Sequence, residues 1–348
     1  MSDPIAMKLD ASLMFEPSVI AQMAVALEQA GFDGGYTFEG TSDPFTGLIL
    51  AAPQTKAMEL FTSIAVAFAR NPMNIAVTGR DLQVLSKGRF ALGLGSQVKG
   101  HIERRYSMPW SKPAARMKEF VQAVRHIWQC WETETPLSFE GEFYRHTLNS
   151  PVFTPPPSGL PTPPIYVAAV GPLMTQMAGE VADGVFIHPF NTAESLSTLV
   201  LPNLRSGAEK VGRTDNCKIS VQVITATGLT EAAIGDARVA ARRQIAFYAS
   251  TPSYRPVLDV HGWGDLQPLL AGLVRDGRWA DMPGQITDEM LSCFAVVGSP
   301  DQVAEQIVKR CAGKVDRVSP VIYKPDLEVL TAISQAMHAA GVGSASSA

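Results

Sequence analysis

Along almost its whole length the chain alternates short β-rich runs with stretches of helical period, and the runs are apolar at consecutive positions rather than at every second one. Strands read that way when both faces are covered, as in a parallel sheet flanked by helices. The runs are IAMKLDASL, GGYTFE, MELFTSIAVAF, RFALGLG, PIYVAAVGP, GVFIHPF, KISVQVITATG, CFAVVGS and DRVSPVIY. Paired with the helices that follow, they make about eight βα units. Eight such units in roughly 250 residues, plus insertions, predict an α/β fold of the (β/α)8 TIM-barrel type. The competing architecture, an open doubly wound sheet, is disfavoured by the even spread of strands. It also lacks its glycine fingerprint: after Gly93 and Gly95, the position where a third glycine would let helix pack on strand holds Val98.

Helix starts are written locally. Asp43-Pro44, Asn71-Pro72 and Ser299-Pro300 each put a capping side chain before a proline at the first helical position. A long helix is read from Met117, Phe120, Val121, Val124, Ile127, Trp128 and Trp131, which recur on one face. One domain is expected over 1–340, with insertions at about 133–164, rich in proline, and 251–290, rich in Pro, Trp and Gly. The small polar stretch 341–348 is expected to be a disordered tail.

The chain has 348 residues, 46% of them apolar and 18% charged, with a net charge of −4. That balance gives no bulk attraction to nucleic acid or anionic lipid. No stretch is long and apolar enough for a membrane span, and no leader pattern opens the chain. A cytoplasmic location is therefore expected. Cys130, Cys217, Cys293 and Cys311 are widely spaced without a CxxC pair, so neither a metal site nor a disulfide framework is expected.

In a TIM barrel the chemistry sits at the C-terminal ends of the strands. Glu39 terminates the second strand and is the candidate proton donor or ring contact; His188 ends the sixth. Gly95 and Ser96 close the fourth strand with small residues that let a flat or phosphorylated group approach the backbone. Ala169, Val170 and Gly171 lead into a helix at Pro172, whose first N–H groups suit a phosphate. Lys99, His101, Arg104 and Arg105 form a basic run in an acidic chain, a candidate grip on a charged cofactor tail. No Ser-His-Asp, HExxH or other metal constellation is present, so hydrolytic chemistry has little support.

Taken in order, GFDGGYTFE, TSIAVAFARNPMNIA, LSKGRFALGLGSQ, MPWSKPAARMKEFVQAVRHIW and IYVAAVGPLMTQMAGEVADGV resemble the bacterial-luciferase-like barrel superfamily, in particular the branch that uses the deazaflavin coenzyme F420. The resemblance implies a deazaflavin ring at the strand ends, with Glu39 beside it. It implies a non-proline cis peptide at Ser63-Ile64 behind the ring, and Val66, Ser96 and His101 lining the cofactor. It places Val170, Gly171, Leu173 and Met174 at the phosphate. Two positions depart from the sugar-phosphate dehydrogenases of that group: Gly40 stands where they carry a catalytic His, and Val98 where they carry a catalytic Glu.

The expected function is hydride transfer between coenzyme F420 and a small organic substrate other than a sugar phosphate. The alternatives are a monooxygenase using reduced FMN and a non-catalytic deazaflavin-binding protein. The expected partners are that small molecule and a second copy of the chain, with neither nucleic acid nor membrane.

Overall fold

A computed structural model describes residues 7–13, 15–215, 217–323 and 326–343. Eight parallel strands close into a ring: β1 (Lys8–Ser12), β2 (Gly34–Thr37), β3 (Glu59–Thr62), β4 (Phe90–Gly95), β5 (Ile165–Ala168), β6 (Gly184–Ile187), β7 (Lys218–Thr227) and β8 (Arg317–Val321). Closure is made where β8 lies between β7 and β1, with Ser220 opposite Arg317 on one side and Lys8 opposite Arg317 on the other. The expected helix starts hold. Asp43 accepts from the N–H of Phe45 at 2.9 Å, Asn71 caps the helix Pro72–Leu85, and Ser299 makes a capping box with Gln302. The long amphipathic helix runs Pro113–Thr133 and buries each of the seven residues expected on its inner face.

The interior is aromatic. Tyr36, Phe61, Phe186 and Tyr166 stack in sequence with ring centroids 4.9 to 5.5 Å apart, filling the barrel as a packed core rather than a pore. Below them a buried ion cluster closes the floor. Arg317 reaches the Asp10 carboxylate through Nε at 2.8 Å, pairs also with Glu59, and lies 5.1 Å over the Phe61 ring. Gly34 is required there, because a Cβ would stand 2.3 Å from Asp10 Oδ1.

Two features differ from the sequence reading. CFAVVGS contributes a strand, Ala295–Gly298, that does not belong to the ring; it pairs with the upper half of β7, Ile224 to Thr227. β7 is ten residues long and rises above its neighbours. Around this extension gather the helices Glu231–Ala249, Arg255–Asp259, Leu266–Arg275 and Asp288–Phe294, with a core of their own built on Phe190, Ile245, Leu258, Leu270 and Phe294. The stretch 251–290 is thus part of a helical cap standing on one side of the barrel mouth.

The stretch 133–164 contains a short antiparallel pair, Phe139–Glu140 with Arg145–His146, held to the long helix because Glu119 accepts from the N–H groups of Glu142, Phe143 and Tyr144. The first three residues of the stretch expected to be a disordered tail, 341–343, are ordered. Val342 is buried and the Gly343 N–H donates to Met7 O, so the chain is fixed through Gly343; residues 344–348 lie outside the described residues. Cys130 and Cys311 are buried, Cys217 and Cys293 half-buried, and none is paired.

Candidate active site

The ends of β3, β4, β5 and β6 are consecutive around the ring, so Ser63, Ser96, Ala169 and His188 lie along one arc of the mouth. At the end of β3 the Ser63-Ile64 peptide is cis. Ile64 is half-buried, and its side chain stands where a Cβ on Gly95 would be, 2.7 Å away. Gly93, one turn deeper, is pinned to β3: its N–H donates to Thr62 Oγ1 at 2.9 Å, Thr62 Oγ1 donates back to Gly93 O at 2.7 Å, and a Cβ would lie 1.7 Å from Thr62 O. The small residues of GLG are therefore set first by strand packing. Ser96 is left partly open at the rim.

Val66 presents no side-chain surface to a ligand. It is fully buried in the core, and its N–H donates to Glu39 Oε2 at 2.7 Å. Glu39 is correspondingly committed. Arg70 Nη1 donates to the same oxygen at 2.5 Å, and the Tyr106 hydroxyl donates to Oε1 at 2.8 Å. Only 7% of the Glu39 side chain is exposed. Arg70 Nη2 in turn donates to Asp43 Oδ2 at 2.8 Å. Burial, and then the Glu39 carboxylate beside it, pushes the Tyr106 phenol up. Glu39 accepts from three donors, which ties the loop after β4 and the helix start after β3 to the end of β2, and both of its carboxyl oxygens are engaged.

The turn at which a phosphate contact was expected opens on Gly171. Gly171 takes φ +78° and ψ 161°, a conformation open essentially to glycine, and no side chain caps the helix Pro172–Val181 that follows. A Cβ on Gly171 would meet nothing within 4 Å. Val170 and Leu173 are exposed, whereas Ala169 and Met174 are buried and serve the core. In the basic run Arg105 donates to Gly40 O at 2.8 Å, Lys99 lies 3.8 Å from Glu103, and His101 is exposed.

His188 is packed between Tyr254, stacked at 4.5 Å and 24°, and Tyr248, edge-on at 4.5 Å. Its Nδ1 accepts from the Phe190 N–H at 3.1 Å, which leaves the ring proton on Nε2. Burial pushes the imidazole down to about 3, so it is neutral near pH 7. Nearby, Gln222 Nε2 meets Ser63 Oγ at 3.4 Å and the Tyr36 hydroxyl meets Ser319 Oγ at 3.0 Å.

The model of the luciferase-like monooxygenase family matches residues 5–317. The chain belongs to this family. It is 50% identical over 330 residues to the uncharacterized protein Rv1360 of Mycobacterium tuberculosis, an alignment covering 94% of this chain and 97% of that one. It is 28% identical over 294 residues to the 5,10-methylenetetrahydromethanopterin reductase of Archaeoglobus fulgidus, covering 80% and 82%. Its fold is that of the coenzyme F420-dependent tetrahydromethanopterin reductase of Methanopyrus kandleri, with a TM-score of 0.79, 21% identity and coverage of 97% and 99%.

For a luciferase-like barrel, the mouth as built fits a flat cofactor with a phosphorylated tail. The open Gly171 turn and uncapped helix start offer N–H donors to a phosphate, and Ile64 and Ser96 border the neighbouring strand ends. Arg70, Tyr106, Gln222, Tyr248, Tyr254 and Tyr323 all bear on the mouth and escaped the sequence reading. Only Tyr323 carried a signal there, as the terminal residue of the run DRVSPVIY. Among the described residues no group of His, Cys, Asp or Glu could hold a metal, and no helix is long and apolar enough to cross a membrane.

Proposed function

We propose that this protein is an oxidoreductase that transfers a hydride between coenzyme F420 and an uncharged organic substrate. The observation that carries the reading is the uncapped, glycine-opened helix start at Gly171 on the same arc as the Ser63-Ile64 bulge. The 28% identity over 309 residues to the putative coenzyme F420-dependent oxidoreductase Rv3520c of Mycobacterium tuberculosis supports it. When bound, the deazaflavin supplies two-electron hydride chemistry. The chain's own residues bind and orient: the Gly171 turn takes the phosphate, Ile64 backs the ring, and Glu39 with Arg70 and Tyr106 fixes the loops that frame it. His188 presents a neutral Nε2–H on the substrate side. Gly40 and Val98 leave the strand-two and strand-four loops without the acid-base pair of the sugar-phosphate dehydrogenases.

The test is a titration of the purified protein with coenzyme F420 and with FMN. F420 is expected to bind at least tenfold more tightly, a gap of about 1.4 kcal/mol; equal or reversed affinities overturn the reading. The second reading, a monooxygenase using reduced FMN, is favoured by the family description itself. A third, a deazaflavin-binding protein without turnover, is separated from both by steady-state assays with unsaturated and carbonyl substrates.

For the assembly we propose a homodimer in the cytoplasm. The helices Pro44–Ala51 and Pro72–Leu85 expose Ile49, Leu50, Val77 and Val84. A groove of about 560 Å³ beside them is walled by Phe45, Ile49, Ile75 and Met108. An apolar face on two regular helices suits a second copy of the same face, as a two-fold interface requires.

A further inference from the structure

The insertion 133–164 carries the three most exposed large apolar side chains among the described residues: Leu148, Val152 and Phe153 are 81%, 85% and 84% exposed. The turn that presents them is built rather than slack. The Phe153 N–H donates to Ser150 O at 3.0 Å, and the Thr154 hydroxyl donates to the same carbonyl at 2.8 Å while also meeting Asn149 Oδ1. Its base is fastened to the C-terminal half of the helix Pro72–Leu85, where Arg80 Nη2 donates to Pro156 O at 2.9 Å and Gln83 Nε2 donates to Pro161 O at 2.6 Å. Three residues of chain separate Phe153 from Pro156, so the apolar knob stands within about 11 Å of that anchor.

The N-terminal half of the same helix borders a hollow. Asn74, Ile75 and Thr78 line the groove of about 560 Å³, whose other apolar walls are Phe45, Ile49 and Met108. Between hollow and anchor the exposed stripe of the helix is Asn74, Val77, Asp81 and Val84, the three- and four-residue spacing of one face. The Asp81 charge on that stripe is met by Arg80 at 3.7 Å. A knob toward one end of a helix face and a hollow toward the other are self-complementary under a two-fold axis, which lays the two copies of the helix antiparallel. With the axis across Val77, Arg80 of one copy faces Asn74 of the other, because each lies three residues, about 4.5 Å, from Val77 along the helix. The anchor of the knob is thereby brought to the partner's hollow.

We propose that the turn 149–154 of each copy inserts Val152 and Phe153 into the groove of a second copy. This deepens the assembly reading above and rests on it: that reading names the face, and this one names the segment that enters the partner and its seat. The exposure of three apolar side chains on an ordered turn is then explained, since all are covered in the pair. The inserted turn also covers the outer side of Arg70, which is 20% exposed and whose Nη1 holds Glu39. Each copy thus closes the back of its partner's candidate site.

The experiment uses the full chain. Phe153 lies in water in the single copy, so Phe153→Asp touches no core contact and is expected to raise the dimer dissociation constant at least tenfold by sedimentation equilibrium. In a second arm, Phe153→Cys and Ile49→Cys chains are mixed and mildly oxidised, and linked peptides are read by mass spectrometry. A disulfide joining positions 153 and 49 of different chains is expected, at a yield at least tenfold above that from Phe153→Cys mixed with Val211→Cys, whose site lies after the helix Leu201–Lys210. The proposal is overturned if Phe153→Asp dimerises like the wild type, or if the 153–49 link is no more abundant than the 153–211 link. A wild-type dimer that Val77→Arg separates and Phe153→Asp does not leaves the assembly reading standing and removes the insertion. A wild type that sediments as a monomer at micromolar concentration removes both.

Discussion

At the scale of single residues, Glu39 shows how partners change a role. A strand-end carboxylate suggests an acid or a ring contact, but the three donors it holds come from Val66, Arg70 and Tyr106, 27 to 67 positions away in sequence. No local pattern announces such partners. Glu39→Gln keeps the shape but leaves Arg70 with Asp43 as its only charged partner, and a mostly buried pair broken on one side is costly. Stability is expected to fall by about 2 kcal/mol, read by denaturant unfolding, alongside any loss in cofactor affinity; an unchanged midpoint shows that the ion pair is dispensable.

His188 was legible as a strand-end histidine, though its aromatic neighbours were not. Because its folded-state value lies near 3 and the ordinary value is 6.5, the unfolded chain binds the extra proton between those limits. The contribution of this site is intact above pH 6.5 and is lost as pH falls toward 3. Wild type is expected to lose up to about 1.4 kcal/mol per pH unit within that window relative to His188→Phe. Parallel stability curves for the two proteins refute it.

At the scale of elements, the strand ends and helix starts were readable because their signals are short-range: apolar runs, Asp-Pro, Asn-Pro and Ser-Pro starts, one amphipathic face. What could not be read is which apolar run enters the ring. AVVG and RVSPV look alike as sequence, yet one pairs only with the extension of β7 and the other closes the barrel. Pairing is decided by where the preceding strand ends in space, and a ten-residue β7 leaves edge to be covered above its shorter neighbour. The helix Pro172–Val181 carries the sharpest element-level test. Gly171→Ala meets no atoms but cannot easily hold φ +78° with ψ 161°, so it costs of order 1–3 kcal/mol of backbone energy or shifts the turn. Coenzyme F420 affinity is expected to fall at least fivefold, measured by equilibrium titration; an unchanged affinity shows that the turn does not contact the cofactor.

For the whole molecule, the barrel separates its tasks in space. The floor is stapled by Asp10, Arg317 and Glu59, the mouth carries the candidate chemistry, and the cap with its own core leans over β6 and β7. The apolar face of the helices Pro44–Ala51 and Pro72–Leu85 belongs to none of these. Its exposed Ile49, Leu50, Val77 and Val84 sit beside the groove at Phe45 and Met108, while the charged Arg70 and Asp43 stand at the same rim. If a second copy covers that face, sedimentation velocity at micromolar concentration gives twice the mass of the 37.4 kDa chain. Val77→Arg, which puts a charge in the middle of the face without touching the core, is expected to shift the protein to the monomer. Because Arg70 links this rim to Glu39, the same variant is expected to weaken F420 binding by no more than a few-fold. A wild type that sediments as a monomer, or a Val77→Arg protein that remains a dimer, places the interface elsewhere.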